Sequence, residues 1–173
     1  TAPIAVCQNQ TIQLDAAGNA SITAAQIDNG STDNCGIASI DVSPSTFTCA
    51  NVGANTVTLT VTDNSGNVST CNATVTVEDN VNPAAECKAY TLQLDASGVG
   101  TVFPDDIDNG SNDACGIATR TVTPNQFDCS GVGQHVVTLT VTDNNGNTSQ
   151  CQSTVTVEDN VAPNAICNDI TIQ

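Results

Sequence analysis

Nine cysteines fall at positions 7, 35, 49, 71, 87, 115, 129, 151 and 167, and adding 80 to each of the first five gives the last five. The rest of the sequence keeps the same register. Asp28-Asn29-Gly30-Ser31 returns as Asp108-Asn109-Gly110-Ser111, Cys35-Gly36-Ile37-Ala38 as Cys115-Gly116-Ile117-Ala118, and Val77-Glu78-Asp79-Asn80-Val81 as Val157-Glu158-Asp159-Asn160-Val161. A chain built this way is a tandem array, and each unit must fold as a copy of its neighbour. The expected divisions are residues 1–80, residues 81–160, and residues 161–173 as the start of a third copy. Pro3, Pro83 and Pro163 each stand four positions before a cysteine, which places residue 1 just past a boundary. The chain therefore reads as an internal stretch of a longer protein.

Within one copy the apolar residues alternate at a period of two, the signature of strands with one buried face. Ile12 and Leu14 alternate with Thr11 and Gln13; Val57, Leu59 and Val61 with threonines; Ala73, Val75 and Val77 with Thr74 and Thr76. Ile37–Val42 forms a further strand, and Pro44 separates it from another at Thr46–Cys49. Asp63-Asn64-Ser65-Gly66-Asn67 is a turn cluster. Residues 23–28 suit a single helical turn, with Pro104 at the first helical position of the second copy. The fold class expected is all-β: tandem immunoglobulin-like β-sandwiches. With 3 Phe, 1 Tyr and neither Trp nor Met in 173 residues, each core is thin and aliphatic and needs covalent staples.

Two Lys and Arg residues stand against 18 Asp and Glu, a net charge of −16. Such a chain repels phosphate backbones, which excludes nucleic-acid binding. The opening residues Thr-Ala-Pro-Ile-Ala-Val-Cys lack the basic start and apolar segment of a signal peptide. No run approaches the ~18 apolar residues of a membrane-spanning helix. Regularly spaced cysteines in small β units imply disulfides, hence a secreted, extracellular or cell-surface location.

Four cysteines per copy allow three pairings. If Ile37–Val42 and the strand to Thr48 form a hairpin, Cys35 and Cys49 meet across it, and so do Cys115 and Cys129. If the first and last strands lie parallel, Cys7 meets Cys71 and Cys87 meets Cys151, leaving Cys167 without its partner. The rival is a bridge between copies such as Cys71–Cys87. A thiolate metal site is disfavoured, because the chain has no Cys-x-x-Cys pair and a single His.

Asp33-Asn34-Cys35-Gly36, the run Val57–Asn67 with its Thr-Asp-x-x-Gly-Asn turn, Cys71 and the closing Ala73–Val77 resemble the hyalin repeat, an immunoglobulin-like module of extracellular adhesion proteins. The 80-residue form with four cysteines and a Val-Glu-Asp-Asn-x-x-Pro junction resembles repeats of giant surface adhesins of Bacteroidetes-type bacteria, gliding-motility adhesins among them. The resemblance spans the whole chain. It implies adhesion or structural spacing and no catalysis. Family members often carry a cysteine in the strand before the Thr-Asp-x-x-Gly-Asn turn, where this chain has Leu59 or Val61, so their disulfide pattern does not transfer.

The acidic loops have two readings. Asp and Asn are ordinary turn formers, and carboxylates keep a surface soluble. Their grouping suggests more. In an immunoglobulin-like sandwich two of the loops share the end at which the chain enters. Glu78, Asp79 and Asn80 should then face Asp113, Asp143, Asn145 and Asn147, hard oxygen donors suited to Ca²⁺. The same set would recur as Glu158, Asp159 and Asn160, and as Asp33, Asp63 and Asn67. The junction also resembles the acidic Asp-Asn-x-Pro linkers of cadherins. Catalysis finds no support: His135 has Asn55 as its counterpart, and the Asp105-Asp106 pair has Ala25-Gln26. The function expected is a stalk or filament spacer that extends an adhesive tip, its partners being neighbouring repeats and, through the tip, surface glycans or proteins. The alternative is a glycan- or protein-binding module in each copy, which Tyr90, Phe47 and Phe127 are too few to furnish with aromatic platforms.

Overall fold

The computed structural model describes residues 1–167; the last part of the expected third copy, residues 168–173, lies outside them. Two compact units are distinguished. Unit 1 comprises Thr1–Pro83 with Asn112–Ala118 and Thr142–Asn147, and unit 2 the remainder. Each is an all-β sandwich.

Unit 1 is built from β1 (Gln10–Gln13), β2 (Asn19–Ser21), a single helical turn α1 (Ala24–Ile27), β3 (Ile37–Ser43), β4 (Thr46–Thr48), β5 (Gly53–Asp63) and β6 (Val68–Glu78). One sheet runs β1-β6-β5-β3 and the other pairs β2 with β4. The central ladder joins β5 and β6 antiparallel, with Val57 opposite Ala73 and Leu59 opposite Cys71. The period-two pattern sends Val57, Leu59, Val61, Val75 and Val77 into the core, while the intervening threonines stay half-exposed. Phe47 on β4 and Ile27 on α1 close the core from other elements. α1 starts because the Gln26 side chain accepts from the Thr23 backbone N–H at 2.7 Å, supplying a partner for a donor that the helix start would leave unpaired.

β1 lies parallel to β6, with Gln10 opposite Val75 and Gln13 opposite Glu78. The starts of the two strands are therefore close, and Cys7 bonds Cys71 with a Cα separation of 6.0 Å. The hairpin expected between Ile37–Val42 and the strand to Thr48 does not form. β3 pairs with β5 in one sheet and β4 pairs with β2 in the other. Alternation marks both segments as strands but is silent on which sheet each joins. The buried ring of Phe47 is what holds β4 on the opposite layer.

Unit 2 repeats the plan with β7 (Tyr90–Gln93), β8 (Val99–Thr101), α2 (Pro104–Ile107), β9 (Ile117–Thr123), β10 (Gln126–Asp128), β11 (Gly133–Asp143) and β12 (Thr148–Glu158), the tips of β9 and β11 belonging to unit 1. Its sheets run β7-β12-β11-β9 and β10-β8. β7 is parallel to β12, and Cys87 bonds Cys151 at a Cα separation of 5.9 Å. Leu92, Val137, Leu139, Val141, Val155 and Val157 take the core places of their counterparts 80 positions earlier.

Candidate functional site

The residues singled out for calcium separate into three kinds of environment. Asp143 closes the turn after β11. Its carboxylate accepts from the backbone N–H groups of Asn145 and Asn147 and from the Asn147 side-chain amide, at 2.8, 2.9 and 2.7 Å. Asp63 does the same with Ser65 and Asn67. Both are buried. Burial alone would raise the pKa of Asp143, but the Asn147 amide and the backbone N–H groups of Asn145, Asn147 and Gly146 outweigh it and lower the value. For Asp63 the Asn67 amide is the largest influence, and it lowers the pKa despite desolvation. These two carboxylates are consumed by their own turns.

Glu78 and Asn80 enter a second kind of arrangement. The Gln13 side-chain amide donates to Glu78 at 2.6 Å, and the Asn80 amide donates to the Gln13 carbonyl at 2.6 Å. Glu158, Gln93 and Asn160 reproduce it. These groups tie the end of the last strand to the first strand rather than converging on Asp113. Asp159 accepts from the Val161 backbone N–H at 3.0 Å, and Asp33 from that of Cys35 at 2.7 Å.

Asp79 and Asp113, both in unit 1, form the third kind. Asp79 is 6 % exposed, and its Oδ1 accepts from the Val81 backbone N–H at 3.1 Å. Its Oδ2 is buried with no hydrogen-bond partner. A buried carboxylate oxygen left unpaired costs free energy unless a cation or water meets it. Carboxylate oxygens of Asp79 and Asp113 and the Cys115 sulfur lie within 4.8 Å of one another. Asn147 donates its amide to the Asp79 carbonyl at 3.0 Å, which fixes this backbone beside the turn. Cys115 is disulfide-bonded, so its sulfur is no thiolate donor. The donor set that remains is oxygen, with Asp79 and Asp113 carrying the charge, and it fits a hard divalent cation completed by water. Of the other residues singled out, Asn147 reaches this pair through its amide on the Asp79 carbonyl, and Asp143 holds Asn147 in place.

The cysteines give a clear correction. Cys49 bonds Cys115, with Cα atoms 5.2 Å apart, while Cys35 and Cys129 are free and exposed. The expected Cys35–Cys49 and Cys115–Cys129 bridges fail because β3 and β4 lie in different sheets. Cys49 follows β4, and its sulfur packs 3.8 Å from the carbonyl of Gly18 in the turn after β1. Gly18 has φ +74°, and a Cβ there would stand 2.6 Å from that sulfur, so both backbone and space demand glycine. A bond 66 positions long hides from repeat arithmetic, because an 80-residue register does not distinguish a partner in the same copy from its equivalent in the next. Cys167 is also free and exposed.

His135 is accounted for within the fold. Its Nε2 hydrogen-bonds the Gly131 carbonyl at 2.7 Å, and its ring lies 5.1 Å from that of Phe127. Among the described residues, no helix is long and apolar enough to cross a membrane.

Residues 79–157 match the family model of the HYR domain, so this stretch is similar to an HYR immunoglobulin-type repeat. No curated protein matches the chain. Among solved structures, human protocadherin-24 EC1-2 is 14% identical with a TM-score of 0.49, covering 91% of this chain and 99% of that one. Mouse cadherin-23 EC22-24 is 10% identical with a TM-score of 0.45, covering 91% of this chain and 67% of that one. The extracellular cadherin domains 1-4 of protocadherin gamma B7 are 15% identical with a TM-score of 0.42; 91% of this chain matches 51% of that one. The chain thus spans about half the length of that structure.

Proposed function

We propose that the chain is a structural spacer within a large secreted cell-surface adhesin, made of repeats divided near residues 80 and 160 and serving adhesion or surface motility by extending a binding tip. The observation that supports it is the repetition itself. Two copies of one sequence build the same strand order, each with a staple joining the starts of its first and last strands. Selection for a spacer preserves core, staple and junction, and leaves no need for a ligand cleft. The alternative places a glycan or protein ligand on each repeat. One open depression, of about 550 Å³, lies over Val99, Gln126 and Phe127, but Phe127 is buried there and offers no aromatic platform. The test is binding by the purified chain to glycan arrays and host-surface proteins. The spacer reading expects none; saturable binding by these repeats alone would transfer the function to the alternative.

Calcium belongs to the same reading. Asp79 and Asp113 would hold the ion, its charge offsetting their mutual repulsion and satisfying Asp79 Oδ2. Extracellular sites of this kind have Kd values of about 10⁻⁴–10⁻³ M. Calcium at ten times Kd then stabilises the fold by about 1.4 kcal/mol. The melting temperature of the chain is expected to rise with millimolar calcium and fall back with chelator. Asp113→Asn, which keeps an acceptor for the Cys115 N–H, is expected to abolish the rise. A melting curve indifferent to calcium would reduce these carboxylates to turn formers.

A further inference from the structure

Cys49 belongs to the first 80-residue copy and Cys115 to the second, and their bond lies in unit 1. In the repeat register Cys129 is the counterpart of Cys49, and Cys35 is the counterpart of Cys115. We propose that Cys129 and Cys35 are the two halves of the same bond, each paired in the assembled array with its complement on the adjoining repeat. A continuous line of repeats would then carry a disulfide at every junction besides the one inside every repeat. This rests on the tandem-spacer reading.

The surroundings of the free cysteines support the assignment independently of the counting. Cys49 follows β4 and opens the short 3₁₀ turn Cys49–Asn51; Cys129 follows β10 and opens the turn Cys129–Gly131. The Cys129 thiol donates to the Gly98 carbonyl at 3.6 Å, as the Cys49 sulfur packs on that of Gly18. A Cβ at Gly98 would stand 2.5 Å from the Cys129 sulfur, matching the closeness at Gly18. On the other side, Asp33 accepts from the Cys35 N–H at 2.7 Å, as Asp113 does from that of Cys115. The Asn64 amide donates to the Cys35 carbonyl at 2.8 Å, as Asn144 does to that of Cys115. Both free thiols are therefore held in the frames that their bonded counterparts occupy. Both are exposed, so an approaching repeat can reach them.

The chemistry is thiol–disulfide exchange with an oxidised dithiol donor, for which oxidised glutathione serves as probe. One cysteine thiolate attacks the glutathione disulfide and releases one glutathione thiolate. The second cysteine, deprotonated, attacks the mixed disulfide and releases the other. One S–S bond forms on the protein and one is lost from the oxidant. Two protons leave the protein and two electrons pass to glutathione.

The experiment uses the full chain carrying Cys167→Ser, which removes the thiol outside the scheme, in a buffer of oxidised and reduced glutathione. A ladder of covalent oligomers is expected on a non-reducing gel, with Cys35–Cys129 peptides far above the half of all bonds that random pairing gives. Further substitution with Cys35→Ser in one sample and Cys129→Ser in another should leave each alone monomeric, and mixing the two should give one covalent dimer and nothing longer. A longer chain, made by joining two copies of residues 1–160 in register, supplies an internal junction; there Cys129 of the first copy should bond Cys35 of the second. Glutathione adducts alone at that internal junction, or like-with-like dimers from the single variants, would overturn the proposal. Ligand binding by the isolated repeats would sink the spacer reading and leave these bonds untouched, so the two failures are distinguishable.

Discussion

Asp143 has its pKa held below the ordinary carboxylate value although burial alone would raise it, because its turn folds around the charge. Replacing it with Ala strands the N–H groups of Asn145 and Asn147 and the Asn147 amide. Losing charge-assisted hydrogen bonds of this kind costs about 2–3 kcal/mol, to be read from chemical denaturation. The pH dependence has a definite sign. A carboxylate with a folded pKa below its ordinary 3.8 stabilises fully above that value and progressively less as pH falls through the folded one. The gap in stability between wild type and Asp143→Ala should therefore be constant near neutrality and narrow in strong acid. Gly18 offers a second test. Gly66 and Gly18 both have positive φ, but only Gly18 would bring a Cβ against a sulfur. Gly66→Ala should cost about 1–2 kcal/mol for the backbone conformation, and Gly18→Ala more, with loss of the Cys49–Cys115 bond in peptide maps. Asp63, Gly66 and Asp143 were legible as turn formers, whereas nothing in the spacing singled out Gly18. That Asp143 and Asp63 are saturated by their own loops, leaving Asp79 with an unpartnered oxygen, depends on distances that no spacing encodes.

Among the elements, the long strands were the most legible part of the chain, since Val57, Leu59 and Val61 must share a face wherever β5 sits. Leu59→Ala, fully buried at the centre of the sheet, is expected to cost about 3–5 kcal/mol. The helical turn was legible from the run 23–28 and from Pro104 at the first helical position of its counterpart. Sheet membership was not. The three-residue β2 and β4 carry too little pattern to reveal their mutual pairing, and the mistaken hairpin led directly to the mistaken Cys35–Cys49 bridge. The parallel β1–β6 pairing was a correct topological expectation because the first and last strands of such sandwiches adjoin, and the Cys7–Cys71 bond follows from it. Cys7→Ala with Cys71→Ala should lower stability by about 4 kcal/mol, the chain-entropy value for a loop of this length. Reduced and oxidised protein compared in guanidinium will give the number.

The molecule as a whole is strongly acidic, with a net charge of −16 and a pI near 4.1. Solubility should pass through a minimum near pH 4 as self-repulsion vanishes, and turbidity across a pH series will show it. The parallel pairing of β1 and β6 has a consequence for a chain under tension. Pulling the two ends of unit 1 apart draws Gln10–Gln13 and Val75–Glu78 past each other along their length, so the ladder between them is loaded all at once instead of bond by bond. Should that ladder shear, the covalent link from Cys7 to Cys71 carries the load around the residues between them. The 64-residue separation it spans would otherwise release slack of roughly 200 Å. With the link intact, a pulled repeat behaves as a shackle of nearly fixed length, and tension at one end arrives at the other without first being lost to unravelling.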